Sequence, residues 1–104
     1  MQTQYVLTLG AHSKDPTAKA SWKAGKFDQK DYDNINKIVR LRGFPGSTIL
    51  KGTGFWQGHE EDSVQIIILA DDYAKVKACA HQLRGSFKQQ AIMLAIVGVG
   101  EVVS

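Results

Sequence analysis

Cysteine is almost absent from this chain of 104 residues: Cys79 stands alone, so no intrachain disulfide can form and nothing points to an oxidising compartment. Its surroundings, Lys77-Ala78-Cys79-Ala80, read as helix, which makes it a small core residue. Metal-ligand spacing is missing too. His12, His59 and His81 are scattered and no second cysteine supports them, so a structural zinc site is excluded and no metal is expected. Long apolar runs are lacking, the longest being Ala91 to Val99, about half of what a membrane-spanning helix requires. The N-terminus has no basic region followed by an apolar run, so no signal peptide is expected, and a cytosolic protein without a membrane partner is the reading. Charge of one sign is also scarce. The net +3 permits an anionic partner but falls short of the basic face of a duplex-binding protein, so duplex nucleic acid is not expected. The glycine pairs at Gly52-Thr53-Gly54 and Gly98-Val99-Gly100 lie outside any strand–loop–helix phosphate cradle, which excludes a P-loop or Rossmann site. No nucleophile with a neighbouring base forms a motif, and no cofactor is implied.

What is present is ordinary in bulk. An apolar fraction of 43% and a charged fraction of 22% suit one globular domain spanning 1–104. A domain of this size buries only about two-thirds of its unfolded surface, so oligomerisation would add useful burial.

Alternation of apolar and polar residues makes Gln4 to Ala11 a first strand. His12 to Phe27 breaks every period and holds Pro16, Gly25 and four lysines, Lys14, Lys19, Lys23 and Lys26, against the single acid Asp15. It reads as a long basic loop, functional or mobile. Asp28 or Asp31 caps a helix with Tyr32, Ile35, Ile38 and Val39 on one face, ended by Gly43, Pro45 and Gly46. Ser47 to Trp56 and Asp62 to Ala70 form a hairpin about a Gly58-His59-Glu60 turn. Asp71-Asp72 caps a second helix carrying Tyr73, Val76, Ala80, Leu83 and Phe87. Ala91 to Val97 reads as a strand buried on both faces.

The order is strand, helix, strand, strand, helix, strand. That predicts an α+β, ferredoxin-like βαββαβ fold: one antiparallel sheet with both helices on one face. Val64 to Leu69 looks apolar on both sides, so the open face of the sheet is expected to meet another copy in a homo-oligomer.

The richest segment for function is Gly52 to Ser63. Its glycines allow close backbone approach, Phe55 and Trp56 offer flat rings, and Glu60, Glu61 and Asp62 supply charge. The carboxylates read either as acid–base groups or as a solvated turn. Alternation places Glu61, Ser63 and Gln65 on one face, a short polar row at the mouth of the hairpin. Phe55 and Trp56 point to opposite faces, one ring expected in the core and the other free to stack on a base. Trp22, between Ser21 and Lys23, is either a stacking and phosphate-pairing lid or an anchor for its loop.

The opening Tyr5-Val6-Leu7-Thr8-Leu9-Gly10 and the hairpin Gly54-Phe55-Trp56-Gln57-Gly58-His59-Glu60-Glu61-Asp62-Ser63 resemble small bacteriophage proteins with a Gly-x-Trp-x-Gly-x-x-Glu-x-Ser hairpin. The layout is also similar to that of the phage S-adenosylmethionine lyases. The resemblance implies a small trimer of ferredoxin-like, PII-like subunits that binds its substrate between subunits. It maps the lyase glutamate onto Glu61, ahead of Asp62-Ser63-Val64, and the lyase tyrosine onto Phe55 or Trp56, neither of which carries a hydroxyl. The hairpin is also shorter than in the lyases.

Phages also use compact oligomers as sponges for host immune signals such as cyclic nucleotides or cyclic ADP-ribose derivatives, and a pocket with aromatics and lysines suits that role. The leading expectation is therefore capture of a nucleotide-like small molecule at a subunit cleft, in the host cytoplasm if the chain is phage-encoded. Phe55 or Trp56 stacks on the base, Glu61 and Ser63 hydrogen-bond the sugar or base edge, and Lys14, Lys19, Lys23 or Lys26 close over phosphates. The alternatives are an S-adenosylmethionine lyase using Glu61, and a protein-docking module built on the aromatics and a Val102-Val103 tail.

Overall fold

The computed structural model describes residues 2–101 and 103. Along the chain run β1 (Gln2–Gly10), α1 (Ala20–Lys23), α2 (Gln29–Leu41), β2 (Gly46–Trp56), β3 (His59–Ala70), α3 (Tyr73–Ser86) and β4 (Met93–Gly100). The four strands form one antiparallel sheet in the order β2-β3-β1-β4, so β1 and β4, from opposite ends of the sequence, lie side by side next to the β2-β3 hairpin. This is the ferredoxin-like arrangement that the element order predicts.

Each long helix begins where a carboxylate can satisfy its free N–H groups. Asp28 accepts from the Asp31 N–H while Asp31 reaches back to the Asp28 N–H, a reciprocal capping box for α2. Asp72 accepts from the Lys75 N–H at the start of α3. The inner face of the sheet, carrying Leu7, Leu9, Val64, Ile66 and Ile68, packs against Ile35 and Val39 of α2 and Val76, Cys79 and Leu83 of α3. Cys79 is fully buried there, and burial pushes its thiol above the ordinary range. No helix among the described residues is long and apolar enough to cross a membrane.

Four local expectations are corrected. The hairpin turns at Gln57-Gly58, both with positive φ (51° and 79°), so Trp56 pairs directly with His59 and the acidic trio lies on β3 rather than in the turn. Segment 12–27 is not structureless. It contains α1 and is held by long-range contacts: Trp22 packs on Phe87, its Nε1 donates to buried Asp31 at 3.0 Å, and the Gly25 carbonyl accepts from the Asp62 N–H. Strand β4 begins at Met93 and forms an edge, with Met93, Ile96, Val97 and Val99 exposed in the protomer. Neither ring of the Phe55-Trp56 pair enters the core, because the hairpin tip runs past the helices and leaves both exposed. Val103 is exposed, and Val102 lies outside the described residues.

Strand register divides the open face into two halves. At one end Ile67 pairs with Val6, which in turn pairs with Ala95, an apolar row across three strands. Leu69, next but one to Ile67, extends it. At the other end Ser63 pairs with Gly10 and Gly52, and Glu61 with Gly54. Gln65 and Thr8, themselves partners, separate the two halves. The open face is thus greasy at one end and polar, with bare backbone, at the other.

Candidate functional site

The polar end of the open face is concave. A cleft of about 440 Å³ lies across the ends of all four strands, bordered by Thr8 and Gly10 of β1, Gly54 and Trp56 of β2, Glu61 and Ser63 of β3, and Met93 of β4. Gly54 adds no side chain to the floor, and the space above Gly10 is taken by the Glu61 carboxylate.

Glu61 is the most constrained group in the cleft. Its Oε2 accepts a hydrogen bond from the His12 N–H at 2.8 Å, just past the end of β1. Its carboxylate lies against Gly10, where a β-carbon would overlap Oε1. Behind it, Gly25 closes on the Glu61 backbone, and its φ of +76° favours glycine. Glu61 is therefore fixed by two glycines and one N–H, and its second oxygen, Oε1, has no protein donor among the described residues. The next residue ties the wall to the segment beyond β1. Asp62 Oδ2 accepts from the Phe27 N–H at 2.9 Å, Oδ1 stands 3.8 Å from Lys26 Nζ, and the Asp62 carbonyl accepts from the Ala11 N–H.

Register resolves the two aromatics. Trp56 pairs with His59, and so shares the open face with Glu61 and Ser63, while Phe55 pairs with Glu60 and turns the other way. Trp56 is 62% exposed, a free indole at the cleft rim. Beside it the His12 and His59 rings stack with centroids 5.8 Å apart and planes within 4°. Phe55 borders the cleft as well.

The structure brings together Phe55, Trp56, Glu61, Ser63 and Lys14 of the residues singled out in the sequence. Lys14 reaches over the hairpin tip, its Nζ donating to Gln57 Oε1 at 3.1 Å. The other basic-segment residues are engaged elsewhere. Lys19 pairs with Asp31 at 2.8 Å and Asp28 at 3.1 Å, Lys23 donates to the Pro16 carbonyl, and Lys26 faces Asp62. Of the two readings of Trp22, its contacts match the anchor. The hydrogen bond to Asp31 holds Lys19 protonated well into the alkaline range, and the Asp31 N–H, with Lys19, keeps the Asp28 carboxyl below its usual value.

Sequence reasoning missed Thr8, His12, Gln89 and Met93 as cleft residues. Only tertiary pairing brings them there. Gly10 had a local signal, since a glycine ending an apolar strand marks a close approach. Among the described residues no group of three His, Cys, Asp or Glu side chains could hold a metal ion.

No family model matches the sequence, and no curated protein matches it. Among solved structures, the chain is similar to a phage SAM lyase in complex with S-methyl-5'-thioadenosine, at TM-score 0.65 and 21% identity, covering 93% of this chain and 81% of that one. It is similar to a DUF3240 family protein from Shewanella baltica OS155, at TM-score 0.58 and 16% identity, covering 100% and 98%. It is also similar to the divalent ion tolerance protein CutA1 from Ehrlichia chaffeensis, at TM-score 0.51 and 10% identity, covering 99% and 87%. At these identities the likeness is one of fold.

Proposed function

We propose that this protein binds a nucleotide-derived small molecule in the cleft at the polar end of its open sheet face. One observation carries the reading: a free indole, a fixed carboxylate with one oxygen unpaired among the described residues, a hydroxyl and a lysine converge on one cleft. Trp56 stacks on the base, Glu61 Oε1 and Ser63 take hydrogen bonds from sugar hydroxyls or a base edge, and Lys14 meets negative charge. Such capture rests on preorganised contacts and needs no base, nucleophile or metal. A signal molecule such as a cyclic nucleotide or a cyclic ADP-ribose derivative fits a function of capture without turnover.

The cleft opens beside the apolar row of Ile67, Val6 and Ala95, and the same reading places a second copy of the chain over that row. Ligand would then lie near a subunit boundary, with its uncovered side closed by the neighbour.

A second reading is favoured by one specific observation, the fold shared with a phage SAM lyase holding S-methyl-5'-thioadenosine. In that reading Glu61 positions S-adenosylmethionine for cleavage to methylthioadenosine and homoserine lactone. Incubation of the purified protein with S-adenosylmethionine separates the two. Appearance of both products supports the lyase, and intact S-adenosylmethionine after prolonged incubation supports capture.

A further inference from the structure

Among the described residues, ion pairs reach only two of the chain's basic side chains. Lys19 and Lys26 are matched by carboxylates. Lys14, Arg84 and Lys88 meet only neutral acceptors among the described residues: Gln57 Oε1 at 3.1 Å, the Gln89 carbonyl at 3.4 Å and Thr17 Oγ1 at 2.6 Å. These three line a second cavity of about 390 Å³, which shares Lys14, Gln89 and Gln90 with the cleft. The two hollows thus share one wall.

The second cavity is built rather than incidental. Lys88 sits in the left-handed region at φ 52°, unusual for a residue with a β-carbon. It is held there from both sides. Ser13 Oγ donates to the Lys88 carbonyl at 2.5 Å, and buried Gln89 donates from Nε2 to the carbonyls of Ala11 and Phe87 at 3.2 and 3.3 Å. The segment after β1 and the turn after α3 are thereby locked together, with the cations at their junction.

Charge balance tests the alternative that these side chains merely offset the C-terminus of α3. That end of a helix carries about half a negative charge. Asp15, the only carboxylate among the described residues that line the cavity, is turned to the N–H and hydroxyl of Thr17 at 2.8 and 2.6 Å. Three cations against one carboxylate and half a charge leave a positive surplus, set in a concavity beside the cleft.

We infer that Lys14, Arg84 and Lys88 form a phosphate subsite, so that the ligand of the cleft is a phosphorylated nucleoside with its anionic end in this second hollow. The inference rests on the reading of the cleft as a nucleotide site. Arg84 offers a planar fork for two phosphate oxygens, and the lysines act as point charges.

Amide-resolved NMR titration of the full chain tests the subsite apart from the cleft, using inorganic pyrophosphate alone, adenosine alone, and ADP. Pyrophosphate should shift the amides of 14, 15, 17 and 88–90 saturably, and an R84Q/K88Q double variant should weaken that binding by about tenfold or more, as should K14Q to a smaller degree. ADP should bind at least about tenfold tighter than adenosine, an advantage the double variant removes while adenosine binding stays unchanged. Pyrophosphate shifts that spread over unrelated lysines such as Lys30 and Lys37, or that survive the double substitution, overturn the subsite. Equal affinity for ADP and adenosine overturns it too. Failure of adenosine and ADP to shift Trp56 or Ser63, with the pyrophosphate response intact, overturns the nucleoside cleft instead.

Discussion

The Glu61 carboxylate rests on the backbone of Gly10, in a space that exists only because residue 10 has no side chain. Two strands far apart in the sequence, β1 and β3, are in register there through Gly10 and Ser63, and the His12 N–H completes the seat. The carboxylate is held before any ligand arrives.

Filling that seat should empty it of Glu61. Gly10→Ala places a methyl group where Oε1 lies, and overpacking of this kind costs about 1–3 kcal/mol of stability. The variant should stay folded by circular dichroism but bind ligand at least about tenfold more weakly. Glu61→Gln keeps the shape and an oxygen for the His12 N–H while removing the charge. Under the lyase reading it should abolish turnover and retain binding, and under the capture reading it should weaken binding alone.

The two adjacent aromatics should behave differently. Trp56→Ala removes the stacking surface and should lower affinity by about 1–3 kcal/mol, with little change in melting temperature because the ring is already exposed. Phe55→Ala, on the opposite side of the strand, should change affinity by less than about 0.5 kcal/mol. Calorimetry on the two variants checks the assignment. Equal losses would mean that register does not decide which ring meets the ligand.

This contrast also shows what could be read without coordinates. Alternation of side chains places Glu61, Ser63 and Gln65 together, and the acidic pairs Asp28/Asp31 and Asp71/Asp72 mark both long helices, because these signals are local. The Gln57-Gly58 turn was hidden because glutamine seldom takes positive φ, so Gly58-His59-Glu60 looked the better turn. The order of segment 12–27 was hidden for a different reason. Its anchors, Trp22 on Phe87 and Gly25 on Asp62, join residues far apart in sequence, and no periodicity reports such contacts. Lysines that look alike in the sequence were sorted only by which carboxylates folded beside them.

The apolar row should govern assembly. Val6 lies between Ile67 and Ala95 on the open face, with its side chain half-buried. Val6→Asp should leave the protomer fold intact, since that face does not pack on the helices, but abolish the proposed self-association. Sedimentation velocity at micromolar concentration should show a multimer for the natural sequence and a single-chain species for the variant. A natural sequence that sediments as one chain would remove the neighbouring copy from the proposed site.

Stability should respond to acid through the start of α2. Asp28 has a depressed folded-state pKa, so its contribution is present above the ordinary carboxylate value of about 3.9 and fades as pH falls through the lower folded value. Lys19 acts at the other limit: its raised pKa adds stability below its ordinary range that is lost only as pH climbs past it. Asp28→Asn can still cap through its amide oxygen but loses the charge facing Lys19 at 3.1 Å. Thermal melts should show the variant less stable than the natural sequence at pH 7, with the gap closing below about pH 4. A gap of constant size across that range would contradict an ionic role for Asp28.

Isothermal calorimetry of the unmodified protein against adenosine, ADP, cyclic nucleotides, ADP-ribose derivatives and S-adenosylmethionine, repeated with Trp56→Ala, probes the cleft itself. The account predicts saturable heat with at least one adenine-containing ligand and its loss or marked weakening in the variant. Silence across the whole panel, or binding that Trp56→Ala leaves unaltered, contradicts it.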